Sequence, residues 1–262
     1  MDDAVVIVTG AGGGLGGAMA RGLLAAGRRV VAVDHEPGKA GLDALTRDAS
    51  ASGAVERLFV AFADVRTPGD AEAAVTRAVE RFGAVHGLVN NAGLGPYRGG
   101  SSFLEVPVAY WQRLIDTNVN GPYLMTRAVA PHLIAGRWGR IVNVTTSLST
   151  MVMKNMAPYG PAKAALEAAS AIWAKEFADA GVTVNVLVPG GAADTAMVPV
   201  ETSPDRSALI SPQVMVAPLV WLTSDDAGGT TGRRIIAKGW DRNAQIDANL
   251  AATSAPVAWD LA

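Results

Sequence analysis

Six short runs of aliphatic and β-branched residues recur along the chain, at 5–8, 30–33, 58–62, 85–89, 141–144 and 182–188, with little polar alternation inside them. A strand with one wet face alternates apolar and polar residues, so continuous apolar runs of this length indicate strands buried on both faces. Alanine-rich stretches of helical spacing fill the gaps, at 16–26, 41–51, 70–82, 110–135 and 164–180. Strand and helix in repeated alternation predict an α/β fold, a parallel sheet with helices on both sides. No linker, low-complexity tract or longer repeat interrupts the pattern, so residues 1–262 are expected to form a single domain.

Composition narrows the function. Half of the 262 residues are hydrophobic and 18% are charged, with a formal net charge of −2. A nucleic-acid partner calls for a basic face, and none stands out. No apolar run reaches the ~20 residues that span a bilayer, and neither a charged leader nor a cleavable apolar segment precedes the first strand. A cytoplasmic protein without a membrane partner is expected. With no cysteine, disulfides, thiolate nucleophiles and cysteine-held metals are excluded. His35, His86 and His132 lack metal-ligand spacing and read as surface or strand-end residues, so no metal is expected.

The first strand leads into Thr9-Gly10-Ala11-Gly12-Gly13-Gly14-Leu15-Gly16, and a helix follows. Glycines let the backbone turn sharply and approach a ligand, and the amides at a helix start suit a pyrophosphate. Such a turn also serves as a plain tight connection; strand before and helix after favour dinucleotide binding. The second strand ends at Asp34, where a carboxylate would bond the ribose 2′-hydroxyl of NAD and repel the 2′-phosphate of NADP. No Arg or Lys stands in the turn or directly after Asp34, so NAD is the expected cofactor. The plainer alternative for Asp34 is an ordinary carboxylate at a strand end.

Tyr159-Gly160-Pro161-Ala162-Lys163 opens the long helix after the fifth strand. Residues four apart share a helix face, so the phenol and the ammonium can point into one site. A nearby cation favours the phenolate and would let Tyr159 act as a base. Pro161 is tolerated in a first helical turn, which puts the helix start close to Tyr159.

With these features in order, the chain resembles the short-chain dehydrogenase/reductase family in its single-domain form, from Val5 to about Gly239. The turn through Gly10, Gly14, Leu15 and Gly16 resembles the family's cofactor loop, and Asp64-Val65 its adenine contact. Asn90-Asn91-Ala92-Gly93 resembles the motif that braces the sheet and borders the cofactor. Asn118 falls at the family's catalytic Asn, and Pro189-Gly190 where it closes the nicotinamide pocket. The resemblance implies a Rossmann-type doubly wound sheet of about seven strands and a catalytic tetrad. In it Asn118 holds a relay water, Lys163 binds the nicotinamide ribose and lowers the Tyr159 pKa, and Tyr159 exchanges the proton. A hydroxyl thirteen residues before the Tyr orients the substrate oxygen. The family usually has Ser there, whereas this chain has Thr146, with Ser147 in reserve if the register slips by one. Both hydroxyls could instead satisfy local backbone. Thr195 is the choice for a nicotinamide or pyrophosphate contact, although its spacing from Pro189 is one residue longer than usual.

The expected activity is interconversion of a secondary alcohol and a ketone with NAD. Alternatives are a non-catalytic NAD-binding sensor or scaffold, and reduction of C=N or C=C bonds. Residues 195–211 read as a lid over a small-molecule substrate. Met151, Met153, Met156 and Met197 suggest an apolar pocket lining, or ordinary packing. Lys154 and Arg98 could anchor an anion but read as solvent-facing, which favours an uncharged substrate. The tail at 240–262 carries Ile246, Leu250, Val257, Trp259 and Leu261 and is too apolar for a free end. The resemblance implies a homotetramer with this tail between subunits; a tail folded on its own core is the alternative.

Overall fold

The computed structural model describes residues 1, 3–100 and 102–258. One sheet runs through the molecule in the order β3-β2-β1-β4-β5-β6-β7-β8. Its parallel strands are β1 (Val5–Thr9), β2 (Arg29–Asp34), β3 (Leu58–Phe62), β4 (Gly87–Asn90), β5 (Gly139–Val144), β6 (Val182–Val188) and β7 (Arg233–Ile236). The eighth, β8 (Ser254–Pro256), pairs antiparallel to β7. The order reverses between β1 and β4, the switch point at which sheets of this type open a crevice beyond their carboxyl ends.

Side-chain alternation explains the two-sided core. Val6 and Val8 of β1 pack with α1 (Gly14–Ala25), α2 (Lys39–Ala51) and α8 (Val216–Leu222). Val5 and Ile7 point the other way, toward α3 (Pro68–Phe82), α5 (Gly121–Ala135) and α7 (Tyr159–Glu176). Every residue of β1, β4, β5 and β6 is buried. Truncating Leu88, fully buried in β4, to Ala would cost roughly 2–5 kcal/mol.

Two findings depart from expectation. The helical stretch at 110–135 is α4 (Val108–Ile115) and α5 joined by a π turn at Asp116–Asn120, in which the Gly121 amide donates to the Asp116 carbonyl. The tail contributes α9 (Ile246–Thr253) and β8, so the sheet has eight strands. Val257 is buried among Val186 and Val188, and Leu250 packs on the core beside α8. Up to Ala258 the tail therefore folds on its own chain; Trp259 and Leu261 lie outside the described residues. Among those described, no helix is long and apolar enough to cross a membrane.

Candidate active site

The carboxyl ends of β1 and β4 are tied together first. Thr9 Oγ1 accepts from the amides of Asn91 and Ala92, both at 3.0 Å, and Asn91 Nδ2 donates to the carbonyls of Thr9 and Gly10. Gly10 has φ +66°, and a methyl there would stand 2.9 Å from Ala92 Cα, so neither shape nor space admits a side chain. Asn91 thus braces the glycine turn against the end of β4.

The turn itself suits an anion. Among the described residues no side chain caps the start of α1, and its first turn holds no acid. The amides there are left for a ligand, with the helix dipole behind them. A methyl on Gly14 would stand 2.5 Å from Thr195 Cγ2, so the segment after β6 reaches the helix start, while Leu15 packs partly buried on the core below. Gly16 has no room for a methyl either, 2.0 Å from the Gly10 carbonyl oxygen. Gly190, at φ +92°, turns the chain after β6 tightly past Ile236 and Lys238. Beyond it Arg206 holds the loop, bonding the Asp194 carboxylate and the carbonyls of Thr195 and Val198.

Asp34 sits at the rim of the same turn. One carboxylate oxygen accepts from the Gly12 amide at 2.8 Å, and the other accepts from the His35 amide and lies 2.9 Å from His35 Nδ1. The Asp64 carboxylate is clasped by the Arg66 side chain and held below the usual carboxylate range, chiefly by that hydrogen bonding. An adenine contact from Asp64 would have to share this partner, which the sequence reading overlooked. Val65 is buried against Gly121 at the start of α5.

At the ends of β4 and β5 the four tetrad positions meet. α7 starts at Tyr159, and Lys163 lies one turn on with Nζ 5.8 Å from the centre of the Tyr159 ring. Lys163 is 5% exposed and donates to the Val144 carbonyl at 2.8 Å. Thr146, just past β5, brings its hydroxyl close enough to the Tyr159 phenol to favour the phenolate. Ser147 is turned to other work: its hydroxyl caps the short helix α6 (Leu148–Met151), accepting from the Thr150 amide. Asn118, fully buried in the π turn, exchanges two hydrogen bonds with the backbone of Leu94. A methyl on Gly93 would stand 3.3 Å from Asn118 Oδ1 and 3.6 Å from Lys163 Nζ, which brings the fourth position beside the third. π turns recur at functional sites because they shift one residue off the helical register.

The electrostatics correct one expectation. Burial raises the Tyr159 phenol above its ordinary pKa, opposed by the nearby Thr146 hydroxyl, so the site by itself does not make the phenol acidic. Burial also brings Lys163 down to about 8, with the charge of Glu167 opposing the fall.

The sequence profile described as short chain dehydrogenase matches residues 4–205. The chain belongs to the short-chain dehydrogenase family. It is accordingly an oxidoreductase of the class that acts on alcohols and ketones. It is 31% identical over 249 residues to 2-(S)-hydroxypropyl-CoM dehydrogenase 3 of Xanthobacter autotrophicus, covering 90% of this chain and 95% of that one. It is 33% identical over 252 residues to L-rhamnose 1-dehydrogenase (NAD(P)(+)) of Azotobacter vinelandii, covering 90% and 96%. Among solved structures, 3-ketoacyl-(acyl-carrier-protein) reductase of Brucella melitensis, complexed with NADH, is similar with a TM-score of 0.76 at 30% identity, over 87% of this chain and 93% of that one.

Proposed function

We propose that this short-chain dehydrogenase interconverts a secondary alcohol and a ketone with NAD(H) as cofactor, Tyr159 being the acid–base group. The observation that carries the reading is the meeting of Tyr159, Thr146 and Lys163 past the end of β5, along the same carboxyl edge of the sheet as the uncapped helix start and the Asp34 carboxylate. NAD, when bound, accepts or returns the hydride. Residues Gly10, Gly14, Leu15, Gly16, Asn91, Gly190 and Thr195 line its path, and Asp64 and Val65 border the adenine end. Asp34 takes the ribose hydroxyls, and its charge opposes a 2′-phosphate.

Thr146 orients the substrate oxygen, and Tyr159 Oη takes or gives its proton. Lys163, one helical turn from Tyr159, would hold the nicotinamide ribose, and Asn118 holds the water that passes protons outward. In the free protein burial holds the phenol up, so a bound oxidised nicotinamide would supply the positive charge that favours the Tyr159 phenolate. Residues 195–211 form a lid within the single domain 1–262, closed by Arg206. The substrate is small to medium in size and uncharged, and the family likeness supports a homotetramer working in the cytoplasm. A screen of NAD⁺ and NADP⁺ reduction over a panel of secondary alcohols tests the reading. NAD⁺-linked turnover abolished by Tyr159→Phe is expected; activity that survives the substitution, or only acidic or phosphorylated substrates, would overturn it.

A further inference from the structure

Three consecutive residues at the end of β5 are each gripped by a different buried ionisable side chain. Lys163 donates to the Val144 carbonyl at 2.8 Å, Thr145 Oγ1 donates to Glu167 Oε1 at 2.6 Å, and Arg234 Nη2 donates to the Thr146 carbonyl at 2.6 Å. Arg234, on β7, is also ion-paired with Glu167, and the second Glu167 oxygen accepts from the Ala258 amide at 3.1 Å. Glu167 is fully buried and Arg234 is 5% exposed.

We infer that Glu167 and Arg234 are positioning residues, a buried ion pair that fixes the Thr146 backbone and so aims its hydroxyl into the site beside Tyr159. The inference rests on the roles proposed above for Thr146 and Tyr159. Its ground is a gap in the sheet. The pairing of β5 with β6 ends at Val144, opposite Leu187, so Thr146 lies beyond the ladder that holds the strand. Its carbonyl is instead held by the Arg234 fork, which bonds Thr146 and Glu167 together, as a planar guanidinium can and an ammonium cannot with the same geometry. Glu167 anchors that fork, steadies Thr145 next door, and stands one helical turn from Lys163, whose charge it favours. A buried ion pair is often replaceable by apolar residues without loss of stability, so its place here is better explained by the geometry it imposes.

The test compares Arg234→Lys, the paired variant Glu167→Gln with Arg234→Met, and Thr146→Ala, singly and combined. The substrate is 1-phenylethanol, or the best alcohol from the panel, with NAD⁺. Arg234→Lys keeps a cation beside Glu167, and the paired variant removes both charges of the pair together, so the two perturb folding in different ways; thermal unfolding identifies the variants that fold. Expected are a fall in kcat of about tenfold or more, NADH affinity by fluorescence within about twofold, and no further loss when Thr146 is already Ala. Unchanged kcat in the folded variants, or a loss that multiplies with that of Thr146→Ala, overturns the inference and leaves the proposed function standing. If Thr146→Ala turns over normally, the proposed role of Thr146 falls, and the inference with it.

Discussion

Lys163 reaches back from α7 to the carbonyl of Val144, 2.8 Å from its ammonium, and in doing so leaves solvent almost entirely. Burial lowers its pKa from 10.5 to about 8. Below about pH 8 the folded protein therefore bears the cost of a buried charge, and that cost fades as pH climbs toward 10.5, where the unfolded chain also loses the proton. At neutral pH this amounts to about 3 kcal/mol, less about 1 kcal/mol for the bond to Val144. Lys163→Met should thus raise Tm at pH 7 by roughly 4–8 °C while ending turnover. The gain should shrink between pH 8 and pH 10. Calorimetry across that range checks it, and a gain independent of pH refutes the account.

Tyr159→Phe removes a single oxygen from a ring that stays packed at the start of α7. Turnover should fall by about 10²–10⁴ or more, with NADH affinity nearly unchanged. Fluorescence titration alongside steady-state kinetics separates the two effects.

Thr146→Ser keeps the donor that meets Tyr159 and should preserve activity, whereas Thr146→Ala should lose about tenfold or more. Equal rates for both variants would assign the hydroxyl to backbone satisfaction alone.

Asp34 lies in a slot so tight that a methyl on Gly38 would stand 2.3 Å from its carboxyl carbon. Asp34→Ala gives up both the bond to Gly12 and the negative charge, so each cofactor should bind somewhat less well. The ratio of kcat/KM for NAD over NADP should nonetheless drop by about tenfold. An unchanged ratio would show that the carboxylate does not sense the 2′ position.

The apolar runs announced β1 to β6 because burial on both faces leaves little room for polar residues. β7 was hidden by its own content: Arg233-Arg234 does not read as a buried strand, and the ion pair to Glu167, 67 residues away, together with the bond to the Thr146 carbonyl makes Arg234 tolerable inside. β8 ends on Pro256 and α8 contains Pro218, which disguise a strand and a helix in turn. Tyr159 and Lys163 could be located from spacing, since they share one helix, whereas Asn118 and Thr146 were legible only through the family resemblance; nothing local marks the π turn that carries Asn118. The acid–base state of Tyr159 and Lys163 could not be read, because it depends on burial that no local pattern records. Arg66 is an intermediate case. It stands two residues from Asp64, close enough for a salt bridge to be expected, yet the resemblance drew attention to the carboxylate alone.

β8 has a consequence for how the sheet is completed. Until residues 254–256 join, β7 presents an open row of amides and carbonyls, the sort of border along which unrelated chains add strands and aggregate. The antiparallel segment seals that border, and its short length and Pro256 make it a poor template for a further strand.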